Sequence, residues 1–275
     1  MTFPPMSANA TFDQAAGLRR LFAHARVRFI PVVANPHVAF GGMMLERLCA
    51  GFAQSGVRTL VVDASETAGA PSEMALLDLA ECIEPLSPHV SYVAARGLPL
   101  RFVDATGSTG SFLQSVAEAA PGNQVVLVHA GAAELCRLFG RHGRGAGVEP
   151  VCPLLLADDH PASVTHAYAS MKLLSSRAGL MVHELLLGAA RHSPRAERIA
   201  VQLAICADDF LGAVLRDWVR IDPATDPADA PTPALRRWVR VRLRDAHDGV
   251  APEALPFAAP PPAGTRFAAS NWAFN

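Results

Sequence analysis

Eight residues, Asn35, Pro36, His37, Val38, Ala39, Phe40, Gly41 and Gly42, join a run of β-branched residues to a stretch of helical periodicity. A strand, a glycine-bearing turn and a helix in that order make the usual phosphate site of a parallel sheet, where backbone N–H groups and the positive end of a helix face an anion. The chemistry here is incomplete. Pro36 has no N–H, and His37, Val38 and Phe40 bring side chains to places where close approach of a phosphate needs none. Only Gly41 and Gly42 remain permissive. A phosphate cradle also uses a lysine, yet the chain has 23 arginines and a single lysine, Lys172, far downstream in a different predicted helix.

Other reactive side chains are scattered. Asp158, Asp159 and His160 have metal-ligand chemistry, but adjacent residues on a loop point in divergent directions, so a solvated turn is the simpler reading. His129, at the end of a predicted strand, reads as a hydrogen-bonded core residue before it reads as a ligand. The five cysteines (Cys49, Cys82, Cys136, Cys152, Cys206) lack the C-x-x-C spacing of a zinc or dithiol site and are expected as free thiols in a reducing cytoplasm. No metal site is expected.

The elements that must position these residues are legible. Residues 27–34 and 57–64 are apolar runs of the kind found in strands buried on both faces, and between them Met44, Leu45, Leu48 and Phe52 recur at helical spacing. That is a βαβ unit, which implies a parallel sheet. Further strands are expected at 90–94, 100–103, 124–128, 151–156 and 179–187, with helices at 110–119, 132–139, 163–177 and 196–216. The alternation predicts a three-layer α/β/α domain with a mostly parallel, doubly wound sheet.

Past Ile221 the texture changes. A proline-punctuated linker leads to the basic stretch LRRWVRVRLRD, whose arginines alternate with Val239, Val241 and Leu243 at strand-like spacing, and then to a proline- and alanine-rich tail. The tail is expected to add little to the core. The net charge of −1 argues against a sequence-independent nucleic-acid binder. No apolar run reaches the roughly 18 residues needed to span a bilayer, and no secretory leader is evident, so the expected location is the cytoplasm.

The turn at Asn35 to Gly42, the helix after it and the following AQSGVRTLVVDA together resemble the MinD/ParA family of deviant Walker ATPases, and more closely its flagellar branch, the FlhG (FleN) proteins. The family turn reads GKGGVGKT and aligns without a gap. On that register the resemblance puts the phosphate-binding lysine at Gly41, the magnesium-holding hydroxyl at Gly42 and the second, signature lysine at Pro36. Of the family's Asp-x-Asp after the second strand, Asp63 is present and Ser65 takes the second place. The Walker B aspartate corresponds to His129, and the adenine-reading asparagine to Gly188. The resemblance extends over most of residues 12–222, including Pro161, Ser163, Tyr168 and Lys172 in one helix. It implies the P-loop NTPase fold with a degenerate nucleotide site: a pseudo-ATPase in which the family's ATP and magnesium are expected to be lost and ATP is not expected to drive dimerisation.

The same branch carries an N-terminal DQAxxLR motif, and it is complete here as Asp13, Gln14, Ala15, Leu18 and Arg19. In the family this helix activates FlhF, a GTPase of the signal-recognition-particle type. The residues suit that role. Asp13 is a good N-cap, Leu18, Leu21, Phe22 and Ala25 form one narrow apolar stripe, and the Gln14 amide can orient an attacking water. Gly17 and the short length leave such a helix marginal on its own. The alternative is a helix packed on its own domain, with Asp13 only a cap and Arg19 only a solvated charge. The resemblance thus implies three parts: an activator helix at 1–25, a MinD/ParA-like domain at 26–222, and a linker, basic segment and tail at 223–275. The implied partners are an FlhF-like GTPase and other flagellar or polar proteins. Contact of the basic segment with membrane at the flagellar pole is the weaker reading, and the rivals are an ATPase with unorthodox nucleotide binding or a nucleotide-independent adaptor.

Overall fold

The computed structural model describes residues 27–105, 109–140, 151–226 and 229–244. The motif residues Asp13, Gln14, Ala15, Leu18 and Arg19 lie outside the described residues.

Eight strands form one sheet: β1 (Arg28–Val33), β2 (Thr59–Asp63), β3 (Glu84–Ser87), β4 (Val90–Ala94), β5 (Val125–Ala130), β6 (Leu154–Asp158), β7 (Val182–Gly188) and β8 (Val214–Ile221). Their spatial order is β3-β4-β2-β5-β1-β6-β7-β8, and every pair is parallel except β3 with β4. The helices are α1 (Gly41–Ala53), α2 (Gly110–Ala119), α3 (Ala132–Phe139), α4 (Pro161–Leu173), α5 (Pro194–Leu211) and α6 (Pro233–Arg244). One sheet face packs against α2, α3, α4 and α5 through Phe112, Val116, Leu135, Leu138, Met171 and Leu203. The other is covered by α1 through Met44, Leu48 and Phe52 and by α6 through Leu235, Trp238 and Val239. This is the three-layer fold that the alternating pattern predicts, with the β1–α1 turn near the middle of the sheet.

Besides the unexpected edge strand β3 and the shifted ends of β6 and β7, three elements differ from the sequence reading. The expected strand at 100–103 is instead a 3₁₀ turn, Pro99–Phe102, with Pro99 at its first position, where the missing N–H leaves no bond unmade. The expected helix at 196–216 ends at Leu211, where Gly212 takes a left-handed φ of 58° and reverses the chain into β8. Ser193 caps its start, accepting from the Arg195 N–H. The basic stretch is the third. It is helical, not extended, and it is part of the core: Leu235 and Val239 are fully buried and Trp238 nearly so. Arg47, itself buried, draws the preceding linker onto α1 by donating to the carbonyls of Asp226 (3.0 Å) and Asp229 (2.8 Å).

His183 lies wholly buried in β7, its Nε2 3.1 Å from the Ser175 hydroxyl. Burial pushes its pKa down to about 4. Because the folded value lies below the unfolded one of about 6.5, the residue is neutral in both states at pH 7.5 and contributes no pH dependence there. As pH falls through 6.5 the unfolded chain takes up a proton that the folded chain refuses, so stability is lost until about pH 4. Urea unfolding is expected to lose about 2 kcal/mol between pH 7.5 and 5 on this account, and His183→Gln to remove that part of the slope. An identical slope in the variant rules His183 out as its source.

Candidate functional site

The carboxyl ends of β1, β2, β5, β6 and β7 bring Asn35 to Gly42, Asp63 to Ser65, His129, Asp158 and Gly188 to one edge of the sheet, the edge where open α/β sheets bind ligands. The β1–α1 turn is organised by Asn35, which is nearly buried. Its Nδ2 donates to the carbonyls of Leu156 (2.8 Å) and Ser163 (2.9 Å) and to the Ser163 hydroxyl (3.2 Å). Its Oδ1 accepts from the His37 N–H at 3.1 Å, an Asx turn opened by the Asn-Pro pair. Val38 N–H donates to the Asn35 carbonyl and Ala39 N–H to the Asp158 carboxylate, both at 3.2 Å. Three successive N–H groups of the turn are therefore engaged by protein acceptors, and one acceptor is an anion. Phosphate oxygens approaching these three N–H groups would have to displace their acceptors.

Asp158 serves the same local order. Its Oδ1 accepts from His160 N–H (3.0 Å), and its own N–H donates to the Ser163 hydroxyl (2.9 Å). His160 caps α4, its Nδ1 accepting from Ala162 N–H at 3.3 Å. Both are turn-forming residues. Among the described residues no group of three or more His, Cys, Asp or Glu side chains is placed to hold a metal ion. The His37 and His166 rings meet edge to face at 5.6 Å, and burial, followed by the His37 charge, holds His166 below the ordinary histidine pKa.

Asp63 and His129 face each other across the paired strands β2 and β5, with His129 Nδ1 2.9 Å from Asp63 Oδ1. Ser65 N–H (3.1 Å) and the Tyr92 hydroxyl (3.4 Å) also donate to the carboxylate. Burial pushes the Asp63 pKa up, but the hydrogen bonds from His129 and Ser65 outweigh it and hold the carboxyl below its ordinary range. Ser65 is buried and its hydroxyl lies 3.2 Å from that of Thr67. Asp63, Ser65 and His129, which the resemblance sets at the family's Asp-x-Asp and Walker B positions, thus form one hydrogen-bonded cluster.

The glycines are less constrained than a phosphate loop's. A Cβ on Gly42 would meet nothing within 4 Å, and one on Gly41 only Val38 Cγ1 at 4.0 Å. At Gly188 the space is taken by Met44 of α1, whose sulfur would lie 3.1 Å from an added Cβ. Sequence reasoning placed Pro36, Gly41, Gly42, Asp63, Ser65, His129 and Gly188 at this edge and missed the part played by Asn35. Its signal was present as an Asn-Pro pair directly after a strand.

No family model and no curated protein matches the chain. Solved structures do. Cobyrinic acid a,c-diamide synthase from Mycobacterium smegmatis, with bound ATP analogue and magnesium, is 11% identical over 81% of this chain and 96% of its own, with a TM-score of 0.56. The MinD cell division protein of Aquifex aeolicus is 11% identical over 79% of this chain and 97% of its own, TM-score 0.52. A putative plasmid partition protein from Borrelia burgdorferi B31, bound to AMPPNP, is 8% identical over 80% and 99%, TM-score 0.51. At such identities the likeness is one of architecture: the chain has the three-layer α/β fold of the MinD- and ParA-type P-loop ATPases.

Proposed function

We propose that this chain is a regulator of flagellar number and placement of the FlhG type, a pseudo-ATPase that binds an FlhF-like GTPase and stimulates its GTP hydrolysis through Asp13, Gln14, Ala15, Leu18 and Arg19. The observation that carries the proposal is the complete DQAxxLR motif directly ahead of the first strand of a MinD/ParA-type fold. Recruitment from the cytoplasm to the flagellar pole would follow from the partner. No helix among the described residues is long and apolar enough to cross a membrane. The test is single-turnover GTP hydrolysis by the FlhF-type GTPase with and without the full chain. A rise of about tenfold or more is expected, since positioning an attacking water is worth at least that. An unchanged rate removes the activator reading.

The pseudo-ATPase part is supported by the turn in which Pro36 lacks an N–H, the N–H groups of His37, Val38 and Ala39 are engaged, and Asp63 is paired with His129. Calorimetry with Mg-ATP is expected to show no binding tighter than about 100 μM. Light scattering should give the same mass with and without ATP. A second reading, an ATPase with unorthodox nucleotide binding, draws on the nucleotide-bound structures that share the fold. Magnesium-dependent binding tighter than that limit, with release of inorganic phosphate from the bound ATP, would establish it.

A further inference from the structure

We propose that the outer edge of β8 is a self-association surface, on which a second copy of this chain adds its own β8 antiparallel about a two-fold axis through Val219.

The sheet ends in two outer strands, β3 and β8. β3 is guarded against further pairing by Pro85 and by a register shift between Pro85 and Ser87. β8 has its own shift early, at Arg216, and from Asp217 to Ile221 it pairs with β7 residue for residue and without a proline. Ala189 N–H donates to the Ile221 carbonyl. Strand alternation then turns the backbone groups of Asp217, Val219 and Ile221 toward β7 and those of Trp218 and Arg220 outward. The outward Trp218 N–H takes the Asp217 carboxylate as its acceptor, at 2.8 Å.

A groove of about 460 Å³ crosses this edge. On one face of the sheet Pro194 and Glu197 of α5 line it with Trp218 and Arg220, and on the other Asp217 lines it with Arg237 of α6. Trp218 packs with the core under α5, whereas Val219 and Ile221 pack with the core under α1 and α6, so lining residues from both faces place the groove over the strand itself. Among the described residues Glu197, Arg220 and Arg237 make no hydrogen bond or ion pair. A groove with two cations and two carboxylates is complementary in charge to its own copy, as a two-fold interface requires.

The residue types select the register. A two-fold axis normal to the sheet keeps each side chain on its own face, so it passes through a residue and not between two. Through Asp217 or Arg220 it sets like charges directly opposite. Through Trp218 it runs Arg220 onto the irregular residue Arg216, and through Ile221 it carries half of the added strand past the end of β8. Through Val219 it sets Trp218 opposite the second copy's Arg220, twice by symmetry. These are the outward residues, so each such pair exchanges both of its N–H···O bonds. The guanidinium then meets the indole on the α5 face, beside Glu197. Val201, four residues beyond Glu197 on the same flank of α5 and 50% exposed, extends the surface with an apolar side chain.

The experiment is sedimentation velocity on the full chain at about 50 μM without nucleotide, with amide exchange over residues 214–221 measured across a dilution series. A mass of twice 29.1 kDa is expected, with exchange over β8 slowing as concentration rises. Arg220→Pro removes an N–H that points away from β7, so it spares the β7–β8 ladder while raising the dissociation constant about a hundredfold or more. Arg220→Glu keeps every backbone donor and sets a carboxylate against the indole face and Glu197. It should dissociate the dimer as well, and it carries the test if the proline variant does not fold by circular dichroism. A wild type that stays at 29.1 kDa overturns the proposal. A dimer that Arg220→Glu leaves intact overturns the register, and one that both variants leave intact, or that forms without slowing exchange over 214–221, overturns the edge.

Discussion

Gln14→Ala is expected to lower stimulated GTP hydrolysis by about one to three powers of ten while leaving the complex with the GTPase intact. The amide of Gln14 offers both a donor and an acceptor, which suits holding a water in line with a γ-phosphate. Its removal leaves the stripe of Leu18, Leu21 and Phe22 untouched. Binding and rate therefore separate. Each tenfold loss corresponds to about 1.4 kcal/mol of transition-state stabilisation. Leu18→Asp should instead abolish both, because it brings a charge into the docking face. Pull-down and single-turnover measurements on the same samples make the comparison. If Gln14→Ala binds and stimulates like wild type, the motif docks without completing the partner's site.

Glu184→Ala is expected to destabilise the fold by about 3–5 kcal/mol, a large share of the roughly 5–15 kcal/mol that holds a domain together. Glu184 is 2% exposed in the interior of the sheet. One carboxylate oxygen accepts from Arg216 Nε (3.0 Å) and Nη2 (2.6 Å), while the other accepts from Trp238 Nε1 (2.8 Å), Arg242 Nε (2.8 Å) and Arg242 Nη2. Arg242 also donates to the Cys152 carbonyl (3.2 Å), and its guanidinium lies 5.3 Å from the centre of the Trp238 ring. Truncating Glu184 strands a guanidinium that is itself buried and releases the indole N–H. The helix α6 would lose its polar anchor to β7. Replacing both Glu184 and Arg242 by leucine removes the stranded charge, so the double variant should recover much of the loss. Urea unfolding of Glu184→Leu, Arg242→Leu and the double variant closes the cycle. Additive losses would mean that the pair does not act as a unit.

The sequence by itself determined the architecture, because the information was local. Residues 110–119 and 132–139 carry apolar side chains at helical spacing and form α2 and α3 with those bounds, and 90–94 forms β4. The βαβ unit from β1 to β2 was legible for the same reason: two apolar runs flank a helical stripe, and a strand buried on both faces tolerates little else. The defects of the β1–α1 turn were also readable, since a missing lysine and a proline without N–H are properties of residue type.

Tertiary structure decided the rest wherever a partner lies far along the chain. In the stretch 233–244 arginine alternates with valine, which reads as a strand, yet the burial that matters joins Leu235, Trp238, Val239 and Arg242 at helical spacing. What makes an arginine tolerable there is Glu184, 58 residues earlier, and no local pattern announces such a partner. The helix reading of 196–216 ran past Leu211 because apolar residues continue on both sides of Gly212; only pairing with β7 makes residues 214–216 the start of a strand. At the candidate site, Asp63 and His129 are 66 residues apart and meet through the β2–β5 register, and Asn35 reaches Ser163 across 128 residues because β6 lies beside β1. Residue types set what each group is able to do. Strand order set which groups satisfy one another, because a carboxylate or an amide at the edge of a core is held by whatever the sheet brings within hydrogen-bonding distance.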